Sequence, residues 1–231
     1  PDFSRVYSAR SMFENYEVLS EQAVDISEWN FGNIPNMTTM FKGAKSYPKG
    51  MSSLNTSSLI KAPSMFEKAW NLNQNINNWD MSNVTNMESM FGYSHINPDI
   101  SNWNTRNVTT MEDMFKFAQS FNQYIGNWNT RSVVNMGGMF RGALAFNQNV
   151  ENWDIRNVKS FSSFLDSASS FSTENYDHLL NGWALQINGD DVQFDAQLRV
   201  NTQHSSAAIN AKAMLVNERD WTIVDKGCSD C

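Results

Sequence analysis

Apolar and polar positions recur along this chain with a long, fixed period. Trp79, Trp103, Trp128 and Trp153 follow one another at 24, 25 and 25 residues, and Leu54 and Trp29 extend the series backwards. Five residues beyond each stands an aliphatic side chain: Ile34, Leu59, Val84, Val108, Val133 or Val158. Then come two further columns, Met37, Ala62, Met87, Met111, Met136, Phe161 and Met40, Met65, Met90, Met114, Met139, Phe164. The second is followed at once by Phe41, Phe66, Phe91, Phe115, Phe140 or Leu165. One unit of this kind cannot bury its own apolar face, whereas a stack of them can. Residues 1–171 are therefore expected to form one repeat array, with a partial first unit at residues 6–13 and six full units.

The same pattern predicts local elements. The I-x-x-W-D/N stretch suits a short parallel strand, and residues 86–92 with their equivalents suit one helical or 3₁₀ turn, because their apolar positions lie three apart. The expected class is α/β, a right-handed parallel solenoid of roughly 25-residue coils spaced about 4.8 Å apart. Polar columns follow the Trp position directly (Asn30, Asn55, Asp80, Asn104, Asn129, Asp154) and three later (Asn33, Ser58, Asn83, Asn107, Ser132, Asn157). These are Asx-turn residues, able to satisfy backbone groups at the corners of a stack. After Phe171 the period ends. Residues 172–186 read as a helix with Tyr176, Leu179, Leu180 and Trp183 on one face, and residues 206–218 as a second. Residues 192–195, 198–201 and 221–224 read as short strands, with a turn at Asn188-Gly189. Together residues 172–231 form the expected α+β capping region.

Composition narrows the partners. The net charge is −7 with no run of Lys and Arg, which argues against nucleic acid. No apolar run is long enough to span a bilayer, so direct membrane insertion is not expected. No signal peptide is visible, and the opening residues read either as a worn cap or as a point inside a longer array. Cys228 and Cys231 are the two cysteines; the reading leaves open a small terminal disulfide or two free thiols.

Sequence signatures of catalysis are missing: there is no H-E-x-x-H, no G-x-S-x-G and no P-loop. His95, His178 and His204 lack metal-ligand spacing, and Asp190-Asp191 lacks a calcium-loop pattern. No cofactor, metal or catalytic residue is expected. Two sets of positions stand outside the packing grammar. Arg106, Arg131 and Arg156 share one column, three after the Trp position, and guanidinium forks suit carboxylate, phosphate or sulfate. The other reading of that column is a solvated stripe bridged to Glu88, Glu112 and Asp113. Trp70, Tyr93, Phe117 and Tyr124 are large aromatics at variable positions, with Arg141 nearby. They predict either a stacking surface for sugars or proteins or packing between neighbouring coils.

The pattern F-N-Q-x-I-x-x-W-D/N-x-S/R-N-V-T-x-M-x-x-M-F, legible in residues 121–140 and 146–165, resembles the BspA-like surface-protein repeat, a divergent leucine-rich-repeat-type unit. The second unit departs from it at Leu54, Ala62 and Pro63, and the last at Phe161 and Phe164. The resemblance implies a leucine-rich-repeat-like solenoid, secretion or display at a bacterial cell surface, and adhesive recognition of a glycan or surface protein on another cell. It implies no catalytic residue. Oligomerisation through a longer parent chain is compatible with it, and a stiff display spacer is the alternative function.

Overall fold

The computed structural model describes residues 5–72, 74–186 and 197–231. The turn expected at Asn188-Gly189, the strand at 192–195 and the Asp190-Asp191 pair lie outside these residues. Among the described residues the α-helices are α1, Thr173–Ala184, and α2, Ile209–Arg219. The strands are β1, Gln197–Arg199, and β2, Thr222–Val224, joined as one open two-stranded parallel sheet. Short 3₁₀ turns occupy Ser20–Gln22, Met51–Ser53 and Ser206–Ala208.

These elements overturn the expected right-handed, leucine-rich-repeat-like parallel solenoid. Such an architecture needs a strand in every coil, and the repeat region consists of turns and loops, with both helices and the whole sheet after residue 171. The strand expected at I-x-x-W is a tight turn instead, in which the Trp79 N–H donates to the Ile76 carbonyl at 3.1 Å. The helical turn expected at 86–92 is interrupted by left-handed backbone at Ser89 (φ 53°) and Tyr93 (φ 58°). An α or 3₁₀ helix of L-residues cannot pass through that conformation.

What repeats is a pattern of hydrogen bonds. Within one unit the Met90, Gly92 and Ser94 N–H groups donate three residues back, to Met87, Ser89 and Phe91. The alternate N–H groups, of Met87, Ser89, Phe91 and Tyr93, donate instead to the carbonyls of Thr110, Glu112, Met114 and Lys116 in the next unit. Four such bonds cross every junction from residues 9–15 through to residues 160–166, and all point the same way along the chain. Single parallel bridges link Asn36, Lys61, Asn86, Thr110, Asn135 and Ser160 in sequence.

Inside, the columns stack. The rings of Phe41, Phe66, Phe91, Phe115 and Phe140 lie nearly parallel, with successive centroids 5.3–5.5 Å apart. All five are buried, as are the Met and Val columns. The indole N–H of Trp79, Trp103 and Trp153 donates to the Met51, Ile76 and Ile125 carbonyls at 2.9, 2.9 and 3.0 Å. Trp183 of α1 takes the next place, donating to the Val150 carbonyl. A side-chain ladder runs in parallel: Asn97 accepts from the Asn122 N–H, Asn122 from the Asn147 N–H, and Asn147 from the Ser172 N–H. Ser172 is the N-cap of α1, its hydroxyl accepting from the Asn175 N–H. The helix is thus positioned by the repeat ladders and begins where they end.

Candidate functional site

Each unit carries two left-handed residues four apart. The second of them is Asn15, Gly43, Lys68, Tyr93, Phe117, Gly142 or Ser167 in successive units. The side chain at one such position leans on the backbone of the next: a β-carbon at Gly43 would collide with Asn15, and one at Gly142 with the Phe117 ring. Left-handed backbone suits Gly and Asn and costs other residues roughly 1–2 kcal/mol. Tyr93 and Phe117 adopt it nevertheless. Their rings touch, with centroids 5.2 Å apart. The Arg141 guanidinium stands 6.0 Å from the Phe117 centroid, at the outer range of a cation–π contact. Its Nε is 3.8 Å from an Asp166 carboxylate oxygen.

Tyr93, Phe117 and Arg141 therefore form one cluster. Tyr93 is 43% and Trp70 42% exposed, so neither packs into the interior. Trp70 forms a second platform with His95, the two rings stacked at 3.6 Å. Tyr124, 53% exposed, lies elsewhere, its ring edge over Gly126.

The arginine column is assembled as expected but is not uniform. Ser132 Oγ donates to the Arg106 carbonyl and Asn157 Nδ2 to the Arg131 carbonyl, each at 2.7 Å, which fixes the three turns in register. Arg156 turns back onto its own unit, its Nε and Nη2 donating to the two Asp154 oxygens. That bond, with a smaller contribution from Arg131, holds the Asp154 carboxyl below its usual range. Arg106 and Arg131 are exposed and make no ion pair among the described residues. The alternative bridging to Glu88, Glu112 and Asp113 is not what forms: Asp113 pairs with Lys116 and Glu112 accepts from Asn135.

After residue 171 the polar groups serve folding. Asp225 accepts from Lys212 Nζ on both oxygens, from Tyr176 at 2.8 Å and from the Gly227 N–H. Burial raises its pKa, but these donors outweigh burial and leave the carboxyl below the usual range. The Tyr176 hydroxyl is pushed up by burial and by the Asp225 charge. Cys228 and Cys231 are joined as a disulfide. Their sulfurs and Asp230 lie within 4.8 Å of one another, but both sulfurs are committed to the bond and Asp230 accepts from Ser206. His178 meets Glu151 at 2.9 Å, and His204 is buried.

A further column also lies outside the packing positions. Directly after the aliphatic position stand Tyr7, Pro35, Ile60, Thr85, Thr109, Val134 and Lys159. Tyr7, Ile60 and Val134 are exposed. The signal available was chemical: apolar or β-branched side chains recur at a position that the packing columns leave outside.

Residues 7–95 and 92–185 each match a family model described as "Mycoplasma protein of unknown function, DUF285". No curated protein and no solved structure matches the chain.

Proposed function

This chain belongs to the DUF285 family, and on that premise we propose that it is a non-catalytic recognition module displayed at a cell surface, binding a glycan or protein of another cell. The observation that carries this reading is the pair Tyr93 and Phe117. Two bulky rings occupy left-handed positions that Gly43 and Gly142 fill in other units. Tyr93 is 43% exposed and Phe117 half-buried, so strained backbone here supports aromatic surface open to solvent, and such strain concentrates at functional sites. The rings, the adjacent Arg141 and the Trp70–His95 platform offer apolar faces with cationic neighbours, the composition of binding hot spots. Arg106 and Arg131 add two uncommitted guanidinium groups for an anionic partner. Arg156, held by Asp154, is the weaker contributor. The resemblance of the repeat to the BspA-like surface-protein unit supports surface display, and the family shown for the chain is one of unknown function.

The test is attachment of the labelled protein to cultured cells. Tyr93→Asn with Phe117→Asn is expected to abolish attachment, and Arg106→Ser with Arg131→Ser to weaken it in a salt-dependent way. Attachment unchanged by both pairs would remove the reading. A stiff display spacer is the second reading, favoured by the unbroken inter-unit bonds and ring stacks; it is the one left standing in that event.

A further inference from the structure

Along the column Tyr7–Pro35–Ile60–Thr85 runs a groove of about 730 Å³. It lies on a different part of each unit from the Tyr93–Phe117 strip, its column standing six residues before the Phe that completes the M-x-x-M-F turn. Its walls are the Tyr7 ring, 72% exposed, and the Pro35 and Ile60 side chains, Ile60 being 42% exposed. Asn33 supplies an amide, and the Ser58 and Thr85 hydroxyls, which donate to the Gly32 and Ile60 carbonyls, present their oxygens as acceptors. No charged side chain lines it.

From Pro35 to Thr109 the backbone of this column is already paired. The Pro35 carbonyl accepts from both the Ile60 and Lys61 N–H groups, at 2.9 and 3.0 Å. The Ile60 carbonyl accepts from the Thr85 N–H and hydroxyl, and the Thr85 carbonyl from the Thr109 N–H and hydroxyl. An extended peptide joins a surface through a row of free backbone donors and acceptors at an edge, and from Pro35 to Thr109 the groups of this column are already paired with one another. An anionic ligand finds no cation in it. What remains are apolar walls set among side-chain amides and hydroxyls. That combination fits a ligand whose apolar C–H faces alternate with hydroxyls that both donate and accept. We infer that the groove binds a short neutral oligosaccharide lying along the stack, its ring faces against Tyr7, Pro35 and Ile60 and its hydroxyls on Asn33, Ser58 and Thr85. The inference shares with the proposed function the premise of recognition, but it rests on other residues.

Cellohexaose, maltohexaose and chitohexaose are suitable probes, titrated into the intact protein and followed by calorimetry and by amide chemical shifts. At least one is expected to bind, moving the Ser58, Ile60 and Thr85 amides. Tyr7→Ala with Ile60→Ser should weaken that binding by about ten-fold or more, while Leu185→Ser, at an exposed apolar position outside both surfaces, leaves it unchanged. Both altered positions are exposed, and an unchanged melting temperature establishes that the variant is folded. Absence of binding by all three sugars at millimolar concentration overturns the inference. So does binding that survives the Tyr7/Ile60 variant, or an extended peptide that produces the same amide shifts. Sugar binding here together with cell attachment unaffected at Tyr93 and Phe117 would sustain the groove while removing the aromatic strip.

Discussion

The Phe117 ring lies on the backbone of Gly142, in the space that a β-carbon there would occupy. Gly142 is also left-handed, at φ 66°. An alanine would therefore meet both a backbone penalty and an aromatic ring. Gly142→Ala is expected to destabilise the protein by about 2–4 kcal/mol, the sum of left-handed strain and overpacking. Urea unfolding measures this directly. The same change at Gly92, where φ is not left-handed and the nearest atom is 3.3 Å away, should cost about 1 kcal/mol or less.

Tyr93 offers a contrast. Asparagine tolerates left-handed backbone, so Tyr93→Asn relieves about 1 kcal/mol of strain. It also forfeits the ring contact with Phe117, worth about 0.5–1.5 kcal/mol. These effects offset, and the denaturation midpoint should shift by less than about 1 kcal/mol in equivalent stability. A loss near 3 kcal/mol would show that the ring is a packing element and would count against its role in recognition.

Trp103 is 3% exposed, and its indole N–H bonds the Ile76 carbonyl at 2.9 Å. Trp103→Phe removes that bond and leaves a void beside the Phe91 ring. A destabilisation of about 2–3 kcal/mol is expected, roughly 1 from the hydrogen bond and the rest from lost packing. Thermal unfolding should register it as one cooperative change if the units melt together, and as a split transition if the array breaks at that unit.

Acid should loosen the C-terminal residues through Asp225. Its side chain is 4% exposed, and its folded pKa lies below the ordinary carboxylate value of about 3.9. The unfolded state therefore binds the proton more readily. The stabilisation is fully present above that ordinary value and is lost as pH falls through the folded pKa. Asp225→Asn should remove this acid-dependent part of the stability curve. At neutral pH it should cost about 3 kcal/mol, because Lys212 loses its anion. Trp fluorescence, dominated near this region by Trp183 and Trp221, can follow both effects.

The sequence reading was strongest where side chains decide the outcome. The Val, Met and Phe columns proved buried because their register is set by which residues must face inward, and that is visible in residue type alone. Helix α1 formed at Thr173–Ala184, inside the expected 172–186, since its Ser172 cap and its buried Tyr176, Leu179, Leu180 and Trp183 are local signals. The backbone of the repeat is not legible in its side chains. Apolar residues three apart, such as Met87 and Met90, satisfy a helical turn and a left-handed turn equally well, and Ser64, Ser89, Asp113 and Ser163 give no hint that φ is positive there. The glycines at 43, 138 and 142 carried that information, but only in three places. Among site residues, Trp70, Tyr93 and Tyr124 are exposed; their lying outside the packing columns was compatible with exposure and with packing between units alike. The commitment of Arg156 to Asp154 could not be foreseen, because Asn104 and Asn129 occupy the equivalent place beside the other two arginines.

The bonds between units run in both directions. At the M-x-x-M-F turn the earlier unit's N–H groups donate to the later unit's carbonyls, whereas along Pro35, Ile60, Thr85, Thr109 and Val134 the later N–H donates to the earlier carbonyl. The peptide dipoles of the two columns therefore oppose one another instead of adding as they do in a helix. Each junction is held by two hydrogen-bond chains of opposite sense, so a sliding of one unit past the next would break both together. Beyond the last unit Trp183 and Trp221 pack on Phe161 and Leu165 bridges Val200, so the apolar side of that unit is covered by the residues that follow.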